Sequence, residues 1–101
     1  MTITEGVIVP ETRNAITYGW QVYRRTAGIH WPDTGRKQIG NAVTDLYEAL
    51  DMHGRLEDVL PHGRDRWIAQ AAEATVKLIT VIRDTCGDQD AAYVAEGGNQ
   101  P

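Results

Sequence analysis

Two stretches of the chain carry apolar residues at the spacing of one face of an α-helix, three and four residues apart. The first runs over 35–59, and its stripe is formed by Ile39, Val43, Leu46, Leu50 and His53. The second runs over 64–86, and its stripe is formed by Ile68, Ala71, Thr75, Leu78, Ile79, Ile82 and Cys86. The spacing therefore predicts two long helices, and Gly87 lies where the second is expected to stop.

The connection between these helices is short, since only Leu60-Pro61-His62-Gly63 separate them. Helices joined by so few residues are usually antiparallel neighbours, so the pattern predicts an αα-hairpin. We expect Pro61 to stop the first helix, because proline lacks the backbone N–H, and Gly63 to supply a flexible backbone. Asp65 then places a carboxylate near the positive start of the second helix.

The segment before the hairpin, residues 12–27, fits two periods. A helix is indicated by Ile16, Trp20, Tyr23 and Ala27, whereas a strand is indicated by the alternation of Ile16, Tyr18, Trp20 and Val22. We favour a helix, because it can pack on the hairpin, while a strand would need partners and the only other β-like piece is GVIV at 6–9.

Residues 87–101 are polar and acidic, with glycines near the end, which indicates a flexible acidic tail. The prediction is an all-α fold: a single small helical domain over 1–86, built on an antiparallel αα-hairpin of about 35–59 and 64–86 with an extra N-terminal helix.

The length of 101 residues limits the core to a small one, so a homo-oligomer is expected. Cys86 is the only cysteine and has no partner for an internal disulfide. The start, MTITEGVIVP, lacks a basic region followed by a long apolar core, and apolar runs elsewhere are far below the roughly 20 residues that cross a bilayer. We expect a cytoplasmic protein without a membrane partner, in the host cytoplasm if it is phage-encoded.

Charge is divided along the chain more unevenly than its total of −4 indicates. Residues 12–37 hold five basic side chains against one acidic one, and residues 45–58 hold five acidic side chains against one basic one. Such a division suits head-to-tail self-association or a local anion site. The alternative is two solvated faces that differ in sign.

The patterns of catalytic and metal sites are missing from the sequence. The three histidines are scattered, without an HExxH pair or a pair of cysteines, and the segment GIHWPDTGRK at 28–37 lacks the spacing of a phosphate loop. Cys86 lies on the apolar stripe, where an inert thiol is expected. We therefore predict no enzyme, no metal site and no cofactor.

Aromatic and basic residues are interleaved in the N-terminal third. Rings that stack on a base and guanidinium groups that pair with a phosphate could be supplied by Tyr18, Trp20, Tyr23 and Trp31 among Arg24, Arg25, Arg36 and Lys37. The local charge is too small for polymeric nucleic acid, so a small phosphorylated ligand is the better fit. The alternative is that Trp20 and Tyr23 belong to the core.

The run PHGRDRWIA at 61–69, followed by a long helix ending near Ile82-Arg83, resembles the helix-hairpin domain of small phage proteins that sequester immune signalling nucleotides. These are the anti-CBASS cyclic-nucleotide sponges and their relatives among anti-Thoeris proteins. The resemblance covers residues 39–83 and implies a compact helical oligomer that binds cyclic oligonucleotides between protomers without catalysis. Thr75-Val76-Lys77 departs from it, and no ligand-contacting residue of the family aligns with a definite position here.

Candidate binding residues therefore come from physical grounds alone. They are Arg64 and Arg66 as phosphate partners near the hairpin turn, and Tyr23, Arg24 and Arg25 as a stacking and charge cluster. Trp67 could cap the core, form an oligomer contact or line a pocket. Two functions stay open: a sponge for cyclic nucleotides, favoured by arginines and aromatics converging in a pocket, or a module or inhibitor that docks a helix face on a host protein, favoured by an exposed apolar stripe.

Overall fold

A computed structural model describes residues 15–56 and 61–96, with the side chains of 15–52 and 66–96. This part of the chain is helical and has no strand. Helix α1 covers residues 15–25, a short 3-10 turn follows at Thr26–Gly28, and the longer helices are α2 (Arg36–Leu56), α3 (Pro61–Cys86) and α4 (Asp88–Glu96). The predicted all-α fold is confirmed.

Helices α2 and α3 form the predicted antiparallel hairpin and supply most of the core. Their contact surface consists of fully buried side chains, namely Ile39, Leu46, Leu50, Leu78 and Ile82, with the smaller Ala42, Ala49 and Ala71 between them. Burial of each large aliphatic side chain contributes about 1.5–3 kcal/mol, so these few residues dominate the stability of the domain. Val43 and Ile79, which were predicted on the same stripes, are only half-buried and lie at the margin of the core.

The boundary between the two helices differs from the prediction. Pro61 does not end α2 but is the first residue of α3, where its missing N–H costs nothing because the first helical N–H groups have no intrahelical partner. His62 and Gly63 also belong to α3, so only residues 57–60 separate the helices. Those four residues, and the side chains of His53 and Asp65, lie outside the described part of the chain.

The N-terminal segment is helical, as favoured, and packs across the hairpin. Val22 is fully buried, and the backbone of α1 comes so close at Gly19 that an added Cβ would lie 3.0 Å from Leu50 Cδ2 and 3.3 Å from Thr75 Oγ1. Helix α1 therefore contacts both helices of the hairpin and covers one of its two sides. The strand interpretation of this segment is wrong for residues 15–25.

The predicted flexible tail is corrected by the structure over residues 88–96, which form α4. Gly87 has a φ of 109°, a left-handed conformation that favours glycine, and its N–H points to the carbonyl oxygens of Ile82 and Arg83 at 3.3 and 3.0 Å. The chain turns there, and α4 buries Ala91 and Val94 in the core. The helical domain thus extends to residue 96, and residues 97–101 lie outside the described part.

Candidate functional site

Arg25, one of the predicted ligand residues, is bonded within the chain to the end of α4. Its Nη1 donates to the carbonyl oxygen of Val94 at 3.1 Å, and the hydroxyl of Tyr18 donates to the carbonyl oxygen of Ala95 at 2.8 Å. The last carbonyls of a helix have no partner inside it and carry a partial negative charge. Arg25 and Tyr18 therefore cap α4 from α1 and fix the acidic C-terminal segment against the basic N-terminal third.

The environment of Tyr18 keeps its hydroxyl protonated and able to donate. Burial raises the pKa of this phenol above its ordinary value of 10.0; the nearby Arg25 guanidinium lowers the pKa in part, and the Glu96 carboxylate raises it further. At neutral pH the hydroxyl consequently stays a donor to α4.

Tyr23, the second predicted ligand residue, belongs to an aromatic cluster that joins α1 to α2. Its ring centroid lies 5.7 Å from that of Trp20 and 5.6 Å from that of Tyr47, and Trp20 and Tyr47 are 6.0 Å apart in edge contact. Trp20 and Tyr23 are half-buried, whereas Tyr47 is 43% exposed. Part of each ring of Trp20 and Tyr23 is therefore buried, as the alternative of a core role predicts. Tyr47 was not predicted as a member of this cluster, because it lies on the flank of the α2 stripe.

The remaining predicted arginines lie on two different helices, Arg24 on α1 and Arg64 and Arg66 on α3. Arg24 is exposed near the end of α1, and Arg66 is exposed in the second turn of α3. The side chain of Arg64 lies outside the described part of the structure. Trp67 lines a groove between α2 and α3, and neither Arg24 nor Arg66 lines it.

This groove has a volume of about 710 Å³, and the sequence did not predict it. It runs between the two hairpin helices and is lined on the α2 side by Asp45, Glu48, Ala49, Asp51 and Met52, and on the α3 side by Trp67, Gln70, Glu73, Ala74 and Lys77. We call it the α2–α3 groove. Leu50 and Thr75, which contact α1, do not line it, so the groove opens on the side of the hairpin that α1 leaves uncovered.

The floor of the α2–α3 groove is apolar. Trp67 is half-buried and packs against the core while also lining the groove, so it combines two of its three predicted roles. Ala49 and Ala74 contribute only a methyl group at the centre, which leaves room above the contact between the two helices. Met52 adds a flexible side chain that adapts to the shape of an occupant.

The rim of the groove is acidic. Among the described side chains, four carboxylates line it against one ammonium group, that of Lys77. Asp45 and Glu48 are exposed one turn apart on α2, and Glu73 is exposed on the facing helix. A rim of this sign repels phosphate and attracts cationic groups. Within the described residues, no three histidine, cysteine or acidic side chains converge as ligands for a metal ion.

No family model, curated protein or solved structure matches this chain. In the stretches that the structure describes, no helix combines the length and apolarity required to span a bilayer.

Proposed function

We propose that this protein is a non-enzymatic interaction module that binds a helical segment of a partner protein in the α2–α3 groove. The observation that carries the proposal is Trp67, whose ring lies half-buried on an apolar floor beside the acidic edge of α2. Tryptophan in such a setting is the residue that most often anchors a protein interface. This is the second of the two functions predicted from the sequence.

The shape of the hairpin supports a helix as the bound element. The side of the hairpin opposite the groove already holds a helix, since α1 lies across α2 and α3 there with Val22 buried and Gly19 in close approach. An amphipathic helix that enters a groove buries its apolar face by the same ridge-and-groove packing. Alanines at positions 49 and 74 make the second side accessible to such a helix.

Site-specific photo-crosslinking tests the proposal. With p-benzoylphenylalanine in place of Gln70, which lines the groove, we expect a discrete crosslinked product in extracts of the native source, with the crosslinks mapped to one helical segment of one partner. The matched control carries the same group in place of Ala72, which is exposed on the same helix but does not line the groove. Equal yields from both positions, or none from Gln70, would contradict the proposal.

The cyclic-nucleotide sponge is a second candidate, favoured by a different surface. Arg24 is exposed and directly follows Tyr23 of the aromatic cluster in the chain, and the exposed part of Tyr47 offers a face on which a base could stack. The resemblance of residues 39–83 to the phage sponges supports the same ligand class. The acidic α2–α3 groove would not be its binding site, because phosphate is repelled there.

Native mass spectrometry separates this candidate from the first. An oligomer that retains an unchanged cyclic di- or trinucleotide at a fixed ratio, and loses it in Tyr47→Ala, is the result expected of a sponge. Absence of binding across cyclic and linear nucleotides would contradict it.

A further inference from the structure

We infer that the α2–α3 groove selects a basic amphipathic helix, with an apolar face directed at Trp67 and with lysine or arginine side chains along the edge that faces α2. The inference rests on the proposed function and specifies the chemistry of the partner. It combines the charge along the groove edges, the apolar composition of the floor and the internal hydrogen bonds of Arg25 and Arg36.

The described charges of the groove lie mainly along the edge formed by α2, where Asp45 and Glu48 are exposed. At the edge formed by α3, Glu73 is accompanied by Lys77, so that edge carries one charge of each sign. A helix lying in the groove would bring the side chains of one flank toward the α2 carboxylates. Basic residues on that flank are attracted, whereas acidic residues there are repelled.

The floor requires an apolar stripe beside that basic flank. Trp67 presents a broad, partly exposed ring, and Ala49 and Ala74 leave space beside it for a large aliphatic or aromatic side chain. Burying such a side chain against Trp67 gives affinity, while the carboxylates give orientation and rapid association. The two features together describe an amphipathic helix with a positive flank, not a uniformly charged peptide.

A second copy of the chain is a poorer occupant than a separate protein. Two arginines of its basic third are already bonded internally: Arg25 to α4, and Arg36 to the Trp31 carbonyl at 2.8 Å and the Asp33 carboxylate at 3.1 Å. Asp33 and the acidic residues of α4 also reduce the positive charge of that surface. The complementary charge that the groove requires is therefore best supplied by another protein.

The test uses two designed helical peptides of about 18 residues that share a leucine stripe and differ only in carrying lysine or glutamate on the flanks. Binding is followed by proton–nitrogen NMR of the tryptophan indole N–H groups, with the Trp67 signal identified by its loss in Trp67→Phe. We expect the lysine peptide to shift the Trp67 signal. The signal of Trp31, whose indole N–H donates to the Thr26 carbonyl, should stay unchanged.

Charge selection has a measurable size and a matched control. The lysine peptide should bind at least about tenfold more tightly than the glutamate peptide at about 0.05 M salt, and the difference should shrink at about 0.5 M. Glu73→Lys should weaken binding of the lysine peptide by about fivefold or more. Asp84→Lys makes the same charge change at an exposed position of the same helix outside the groove and should leave binding unchanged.

Three outcomes would overturn the inference. Equal binding of both peptides would remove the charge selection and leave the interaction module intact. If neither peptide shifts the Trp67 signal while the crosslinker at Gln70 still captures a partner helix, only the basic partner is rejected. A Trp67 signal that moves on dilution of the protein alone would show that a second copy occupies the groove.

Discussion

Leu46→Ala lowers the free energy of unfolding by about 2–5 kcal/mol, the range measured for leucine-to-alanine changes in packed cores. Leu46 is fully buried on α2, and its Cδ1 lies 3.5 Å from where a Cβ on Gly19 of α1 would be. The truncation leaves a cavity where α1 meets the hairpin, and the helices can close it only in part. Since a domain of this size is stable by roughly 5–15 kcal/mol, the loss is a large part of the total.

Urea denaturation followed by far-UV circular dichroism measures this change. Val76→Ala is the matched control, because Val76 is 65% exposed on α3 and its truncation should change stability by no more than about 0.5 kcal/mol. A loss below about 1 kcal/mol for Leu46→Ala would mean that Leu46 does not lie at the centre of the core.

Gly35→Ala is expected to destabilise the protein by about 1–3 kcal/mol through overpacking. A Cβ at this position would lie 2.5 Å from both Cβ and Cγ2 of Thr85 at the end of α3. Thr85 cannot turn aside easily, because its hydroxyl donates to the Val81 carbonyl at 2.8 Å and its Cβ is fixed to the helix backbone. The start of α2 must then move away from α3, which weakens the end of the hairpin opposite the turn.

The control for this substitution has the opposite sign. Gly40 lies inside α2, and an added Cβ there would meet no atom within 4 Å beyond the adjacent backbone of its own helix. Gly40→Ala should therefore raise stability by about 0.5–1 kcal/mol, because alanine is the better helix former. Thermal unfolding of both variants distinguishes the two effects. A Gly35→Ala protein as stable as the wild type would contradict the close packing of α2 against Thr85.

The two long helices were predictable because burial repeats along them with the period of the helix itself. Ile39, Leu46 and Leu50 face the same way whatever the surrounding tertiary structure, as do Leu78 and Ile82 on the partner helix. The helix over 15–25 was less secure, because its aromatic residues fit two periods. Packing against the hairpin through Val22 favours the helix.

Helix α4 was missed because its own sequence carries too little information. Only Ala91 and Val94 are buried in nine residues, and the acidic side chains around them are equally typical of a solvated tail. Its position depends on Tyr18 and Arg25, which are about 70 residues away in the chain. Bonds at such separation leave no periodic signal. Pro61 was assigned to the wrong element for a different reason, because proline is compatible with both the end of one helix and the first position of the next.

The residues of the candidate site were only partly predictable. Trp67 was identified as a contact residue, and Asp45 and Glu48 were recognised as part of an acidic stretch. Their relation to Glu73 and Ala74 was not recognised, since it arises only when α2 and α3 lie side by side. Arg25 was assigned to a ligand on the strength of its neighbours, whereas the structure bonds it to Val94 of α4.

The sequence by itself determined that this chain is all-α and that its two long helices pair, because helical periodicity and a short connection are local properties. Only the tertiary structure decided which side of the hairpin α1 covers, that the acidic segment folds back onto the basic third, and that Trp67 and the α2 carboxylates line one groove. These features depend on contacts between residues far apart in the chain, whose geometry no local pattern of side chains specifies.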